Sequence, residues 1–275
     1  MEKRLMERDA VEVEIDVDSI AKLLESQQGE KRPSRDELTK QIRAFALKAG
    51  ADRVGFALYE SMDEAPEGRH PRDILPTGKS MVVIVKRYLE ATVDSAPSFY
   101  SALQYTQLNT YIERMAFDIS CFIEDQGYRA MPVPATQYGM RVTSYMDFVG
   151  VMSQRHAAIA AGLGTWGLND LLITPDFGPR VRIITILTDA ELTPSPKLDR
   201  DPCIGCNLCV KYCPAHAISA DRSIGIDKGK CMLCLMETKR KTGGEGTCGI
   251  CQKVCPVARD SAHLREVLAN HVSLV

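Results

Sequence analysis

Nine of the ten cysteines in this 275-residue chain fall between Cys203 and Cys255, and their spacing dictates what that part of the chain must be built around. The run Cys203-x2-Cys206-x2-Cys209-x3-Cys213-Pro214 ends in a Cys-Pro step, and Cys248-x2-Cys251-x3-Cys255-Pro256 repeats the later part of it. Thiols separated by two residues in a tight loop converge on one cubane. A cysteine three further on, stopped by a proline, faces away toward a neighbouring cluster. The pattern predicts two [4Fe-4S] clusters, each served by both motifs. Cys203, Cys206, Cys209 and Cys255 are assigned to one; Cys213, Cys248, Cys251 and one cysteine of Cys231-x2-Cys234 go to the other.

Zinc and disulfides are the competing readings. Zinc sites use four ligands in paired Cys/His arrangements, and zinc chemistry does not call for a four-cysteine run ending in Cys-Pro. Disulfides need an oxidising compartment. The opening MEKRLMERDAVEVEID has no apolar h-region and no twin-arginine pair. The expectation is a cytoplasmic chain with reduced thiols. A formal net charge of −2 supplies no basic field for general nucleic-acid binding, so nucleic acid is not an expected partner, with tRNA left open. No apolar run approaches the length of a membrane span. With 45% hydrophobic residues the chain has material for one large core and a small second domain.

Residues 1–33 read as an N-terminal arm in which Val11, Val13, Ile15 and Val17 alternate like an edge strand. An α/β domain follows over 34–193. Ser34-x-x-Glu37 is a capping signal for a helix with Leu38, Ile42, Phe45 and Ala46 on one face. Strands are expected over 53–58, 81–85, 130–134, 171–174 and 181–188, and a long helix over 98–125. Cys121, inside that helix, reads as a small buried hydrophobe. Ser153 is placed to cap the helix RHAAIAA. A Pro-Ser-Pro linker at 194–196 leads into the cluster domain, 194–260, and a C-terminal helix takes 261–275.

Gly162-Leu163-Gly164-Thr165-Trp166-Gly167 matches the dinucleotide fingerprint letter for letter. A helix precedes it where the fingerprint needs a strand, so that reading is rejected. Gly162, Gly164 and Gly167 instead let a loop approach something flat or bulky, with Trp166 and Tyr145 as apolar walls. Tyr138, Tyr145, Asp147 and His156 gather around this block as candidate proton donors. Arg180 and Arg182 are candidates for phosphate or propionate groups. Ordinary packing and salt bridges are the plainer readings of all six.

The block RHAAIAAGLGTWGLNDLLITPDFGPRVRIITILTD, followed by a linker and CIGCNLCVKYCP, resembles the epoxyqueuosine reductase family and its relatives the reductive dehalogenases, over roughly residues 35–258. The resemblance implies an α+β fold: a nitroreductase-like α/β sandwich domain followed by a ferredoxin-like double-cluster domain. It also implies a corrinoid such as cobalamin over the nearer cluster, Cys231 as the isolated ligand, and Cys234 as the spare thiol. The chain departs from the tRNA-modifying members in two places. Their catalytic Asp lies in a V-D-S-A-P stretch, from which Asp147 is one position displaced, while the literal Val93-Asp94-Ser95-Ala96-Pro97 lies far upstream and reads as coincidence. Their lysine after the glycine block is Leu168 here.

The function expected is that of an iron–sulfur oxidoreductase, a reductase passing electrons from a ferredoxin- or flavodoxin-type donor through two clusters to a corrinoid or small molecule. The alternative is an electron-transfer or assembly partner without its own substrate, docking through Lys239-Arg240-Lys241.

Overall fold

The computed structural model describes residues 16, 18, 33–63, 65, 67–136, 150–243 and 248–272. The chain divides into two units, Met1–Pro33 and Ser34–Val275. The alternating valines of the expected arm lie outside the described residues, as do Tyr138, Tyr145 and Asp147.

The second unit opens with α1 (Arg35–Lys48), started by Ser34, whose hydroxyl accepts the N–H of Glu37 at 3.3 Å. Next come β1 (Arg53–Leu58), β2 (Ser80–Arg87), α2 (Glu90–Asp94), α3 (Phe99–Asp125), β3 (Ala130–Val133) and α4 (Gln154–Ala160). The glycine block then leads into β4 (Thr165–Trp166) and β5 (Leu172–Ile173), a two-stranded pair, and on to β6 (Val181–Thr188). The cysteine segment carries α5 (Leu208–Lys211), α6 (Lys228–Thr242) and α7 (Ile250–Lys253), and α8 (Ser261–Val272) follows.

The main sheet runs β1-β2-β6-β3, every neighbouring pair antiparallel. Apolar residues alternate along the two central strands and cover both faces. Val82, Ile84, Ile184 and Ile186 enter a core with Ile42 of α1 and Ile112, Ile119 and Ile123 of α3. Met81, Val83, Val85 and Leu187 enter a second core with Ala157 and Ala158 of α4. A period-2 pattern in which both sets are apolar produces a sheet sandwiched between helices rather than one wet on a face.

One expectation fails on α3: Cys121 is exposed. The stripe that meets the sheet runs through Leu108, Ile112, Met115, Ile119 and Ile123, and position 121 points off it at helical spacing. No helix among the described residues is long and apolar enough to cross a membrane.

The cysteine segment packs onto the sheet part within the same unit. Its own core of buried residues consists of Leu168, Cys213, Ala217 and Ile218, with Cys203, Cys209, Cys231 and Cys251 packed against it. Leu168 belongs to the loop after the glycine block and is an apolar plug between the two parts.

Candidate iron–sulfur site

Cys203, Cys206, Cys209 and Cys255 line one cavity of ≈ 340 Å³, counting its open mouth, with Leu168, Asn169 and Ile173 on the sheet side. Local backbone makes this convergence. Gly205 (φ 66°) and Asn207 (φ 58°) turn left-handed inside the first motif before α5 starts, and Gly249 (φ 70°) does so inside the second before α7. Left-handed residues are cheap for glycine and tolerable for asparagine, and they reverse the chain within the Cys-x-x-Cys spacing. Burial pushes the Cys209 thiol up to about 11, and charge on Cys255, Cys206 and Cys203 adds to that. Burial raises Cys255 as well, opposed there by the N–H of Val257 and by the Arg180 guanidinium.

The other five thiols form a neighbouring set. Cys213 is buried and its sulfur accepts the N–H of Ala217 at 3.3 Å. Cys251 is raised well above an ordinary thiol by burial, and then by Cys248, Cys231, Cys209 and Cys213, so it borders both sets. Burial also raises Cys248, with Cys234 and Cys231 bearing on it, and Cys231, with Cys213, Cys234 and the Asp170 carboxylate bearing on it. Cys231 packs in the small core beside Cys213 and Cys251, whereas the charge of Cys234 bears on Cys248. Both α6 cysteines therefore stand at this set. Thiols that are desolvated and mutually repelling are unfavourable as free thiolates, and iron relieves both costs, so the donor set fits two cubane clusters.

The glycine block is packed against protein. Gly162 has φ 70°, and a Cβ there would lie 2.0 Å from the Pro196 carbonyl oxygen in the linker. Cβ atoms at Gly164 and Gly167 would meet the Ile173 carbonyl oxygen at 2.6 Å and the Asn169 side-chain oxygen at 2.5 Å. The close approach expected there is made by the chain itself. Trp166 is half-buried, with the His156 ring edge-on at 5.0 Å and the Arg155 guanidinium over it at 5.0 Å. The Nδ1 of His156 is 2.6 Å from the Ser153 hydroxyl, and Arg155 pairs with Asp170 at 2.8 Å.

Arg180 and Arg182 are likewise engaged inside the protein rather than open to a phosphate or propionate. Arg180, 1% exposed, donates from Nε to Glu90 at 3.0 Å, from Nη1 to the Cys255 carbonyl at 3.1 Å, and from Nη2 to the Val257 and Ala258 carbonyls at 2.7 and 3.3 Å. Arg182 donates to Asn109 at 2.7 Å and to Ala135 O and Thr136 Oγ1 at 3.0 Å each, and lies over the Tyr105 ring. These partners border a second cavity, ≈ 1520 Å³ with its open mouth, between α3 and β3 and lined by Tyr105, Asn109, Pro132, Thr136, Ile184 and Lys239. Sequence reasoning missed this cavity, along with Arg155, Asp170, Lys253 and Arg259. Their partners lie far away in the chain, and no local spacing announces them.

Residues 196–219 match the family described as 4Fe-4S binding domain. The chain is 28% identical over 254 residues to the tetrachloroethene reductive dehalogenase of Dehalobacter restrictus, covering 76% of this chain and 43% of that one. It is 26% identical over 264 residues to the epoxyqueuosine reductase of Bacillus cereus, covering 80% of this chain and 64% of that one. The chain thus spans about half the length of these curated relatives. A solved reductive dehalogenase, described with a mechanism for B12-dependent dehalogenation, shares the fold with TM-score 0.66 at 23% identity, over 88% of this chain and 35% of that one.

Proposed function

We propose, for a chain whose homologues are the reductive dehalogenases and the epoxyqueuosine reductases and which carries a 4Fe-4S binding domain, that it is an iron–sulfur reductase working through two [4Fe-4S] clusters. The observation that carries this reading is the sorting of nine thiols into two adjacent sets, one of them four cysteines around a single cavity. Cys203, Cys206, Cys209 and Cys255 hold one cluster. Cys213, Cys231, Cys248 and Cys251 hold the other, and Cys234 is the spare. Bound there, each cluster supplies one-electron storage. The domains read as a nitroreductase-like α/β sandwich, 34–193, and a ferredoxin-like double-cluster domain, 194–260.

The chain's own residues do the rest. Leu168 and Ile173 keep water from the sheet side of the first cavity. Asn169 ties the two parts by donating to the Cys251 carbonyl at 3.4 Å, and Gln252 does so by donating to Pro179 O at 2.8 Å. The electron acceptor, a corrinoid or a small molecule, is assigned to the cavity between α3 and β3, whose ≈ 880 Å³ of enclosed space falls within the roughly 300–1,000 Å³ of ordinary small-molecule sites. A one-electron donor of the ferredoxin or flavodoxin type feeds the clusters.

Anaerobic reconstitution tests the reading directly. About eight iron and eight sulfide per chain are expected; zinc with negligible sulfide would overturn it. Cys234→Ser leaves both clusters in place, and its loss of one would exchange the roles of Cys231 and Cys234. Incubation with cobalamin, followed by gel filtration and absorption spectra, decides the acceptor's class: retained corrinoid, lost on Asn109→Trp, places it in the α3/β3 cavity, and no retention leaves a small molecule.

A further inference from the structure

We propose that Arg180 is a positioning residue that makes the Cys203/Cys206/Cys209/Cys255 centre the more easily reduced of the two, so that the first electron taken up rests there; this rests on the two-cluster reading above.

The inference starts from an imbalance in how the two thiol sets are surrounded. Arg180 is almost fully buried at the start of β6, yet two of its nitrogens grip the loop that begins at the ligand Cys255, by way of the carbonyls of residues 255, 257 and 258. A guanidinium keeps its charge even when buried. Its carboxylate partner, Glu90, lies on α2 and is shared with Arg259, so it offsets only part of the charge of the two arginines. Arg259, 1% exposed, joins the same network through Asp94 at 2.5 Å and Glu90 at 3.0 Å. The His263 ring also meets Asp94, at 2.6 Å. The cationic side of this network therefore faces the Cys255 loop and its anionic side faces α2.

At the other set the charge of Asp170 bears on Cys231, but Asp170 is paired with Arg155 at 2.8 Å, so that pair is close to neutral. The Asp201–Arg222 pair beside Cys203 is internally neutral.

Reduction of a cluster adds one electron, drawn from a one-electron donor, and makes or breaks no bond. Its site becomes one charge more negative. A buried cation donating to the ligand loop favours that state, and a nearby carboxylate disfavours it.

The test is a redox titration of the reconstituted protein with dithionite and mediators, followed by EPR. Iron and sulfide are measured first: fewer than about eight of each marks failure of the two-cluster reading itself. With both clusters present, two midpoints are expected. Arg180→Gln should lower the higher one by about tenfold in the reduced-to-oxidised ratio at fixed potential, or about 59 mV for one electron. Arg180→Lys, which keeps the charge, should lower it less. Glu90→Gln keeps an acceptor for Arg180 on a half-exposed side chain, so it tests the idea even if Arg180→Gln loses a cluster. It should raise the same midpoint. Asp170→Asn should raise the other midpoint. The proposal is overturned if Glu90→Gln moves neither midpoint or both equally, or if the Arg180 and Asp170 variants move the same one.

Discussion

Among the described residues, twenty buried apolar side chains fill the core that α1 and α3 make with the sheet, while the cluster of buried residues around the cysteines contains four, one of them Cys213. The sheet part is held as most domains are, by apolar area removed from water. The cysteine segment has two four-residue helices, three left-handed residues within its thiol motifs, and thiols that repel one another once charged. So small a core does not repay the entropy of ordering such loops, and a metal centre has to supply the difference.

The largest effect should come from removing iron. Chelation after oxidation is expected to leave the amides of β2 and β6 protected from hydrogen exchange while those of residues 203–215 and 248–258 exchange rapidly. Equal loss of protection in both parts would erase the distinction. The converse test is a truncation in the larger core. Phe56→Ala removes a fully buried ring and should cost about 3–5 kcal/mol by urea denaturation. Iron content of the folded variant should stay unchanged, because the thiol sets do not include that ring.

A smaller effect is expected at the seam between the parts. Gly162→Ala places a Cβ against the Pro196 carbonyl oxygen on a left-handed residue, and should lower stability by about 1–3 kcal/mol. If the glycine face were instead the acceptor's site, the substitution would weaken corrinoid retention and leave the urea midpoint in place.

How much of this was legible from the chain differs between the same two regions. Local spacing already groups Cys203, Cys206 and Cys209, which line one cavity together with Cys255. Ser34, Ser98 and Ser153 each cap the helix expected after them, because capping is also a local matter. Arg180 was not legible. It was read as a residue for anionic ligands, and the carbonyls that occupy it lie 75 to 78 positions away. Cys121 was misread because α3 carries apolar residues on more than one side, and periodicity alone does not say which stripe the sheet covers. The order β1-β2-β6-β3 likewise depends on pairings across a hundred residues between β2 and β6.

The smallest predicted effect concerns α8, the expected C-terminal helix, found over Ser261–Val272. Asp260 caps it: one carboxylate oxygen accepts the N–H groups of Ala262 and His263, both at 2.9 Å. The His263 N–H comes first among the causes that hold this carboxyl below its ordinary range. A group whose folded pKa is depressed stabilises the fold at pH values above its unfolded pKa. That contribution is lost as pH falls through the folded value. Hydrogen exchange of the α8 amides should therefore quicken as pH is lowered below about 4, the ordinary aspartate range, after correction for the intrinsic rate. Amides of β2 should show no matching change. Asp260→Asn keeps an acceptor at the cap without the titrating charge, so it should flatten that dependence while leaving α8 formed at neutral pH. If the pH dependence survives in Asp260→Asn, the cap is not its source, and the His263–Asp94 contact at 2.6 Å becomes the next group to replace.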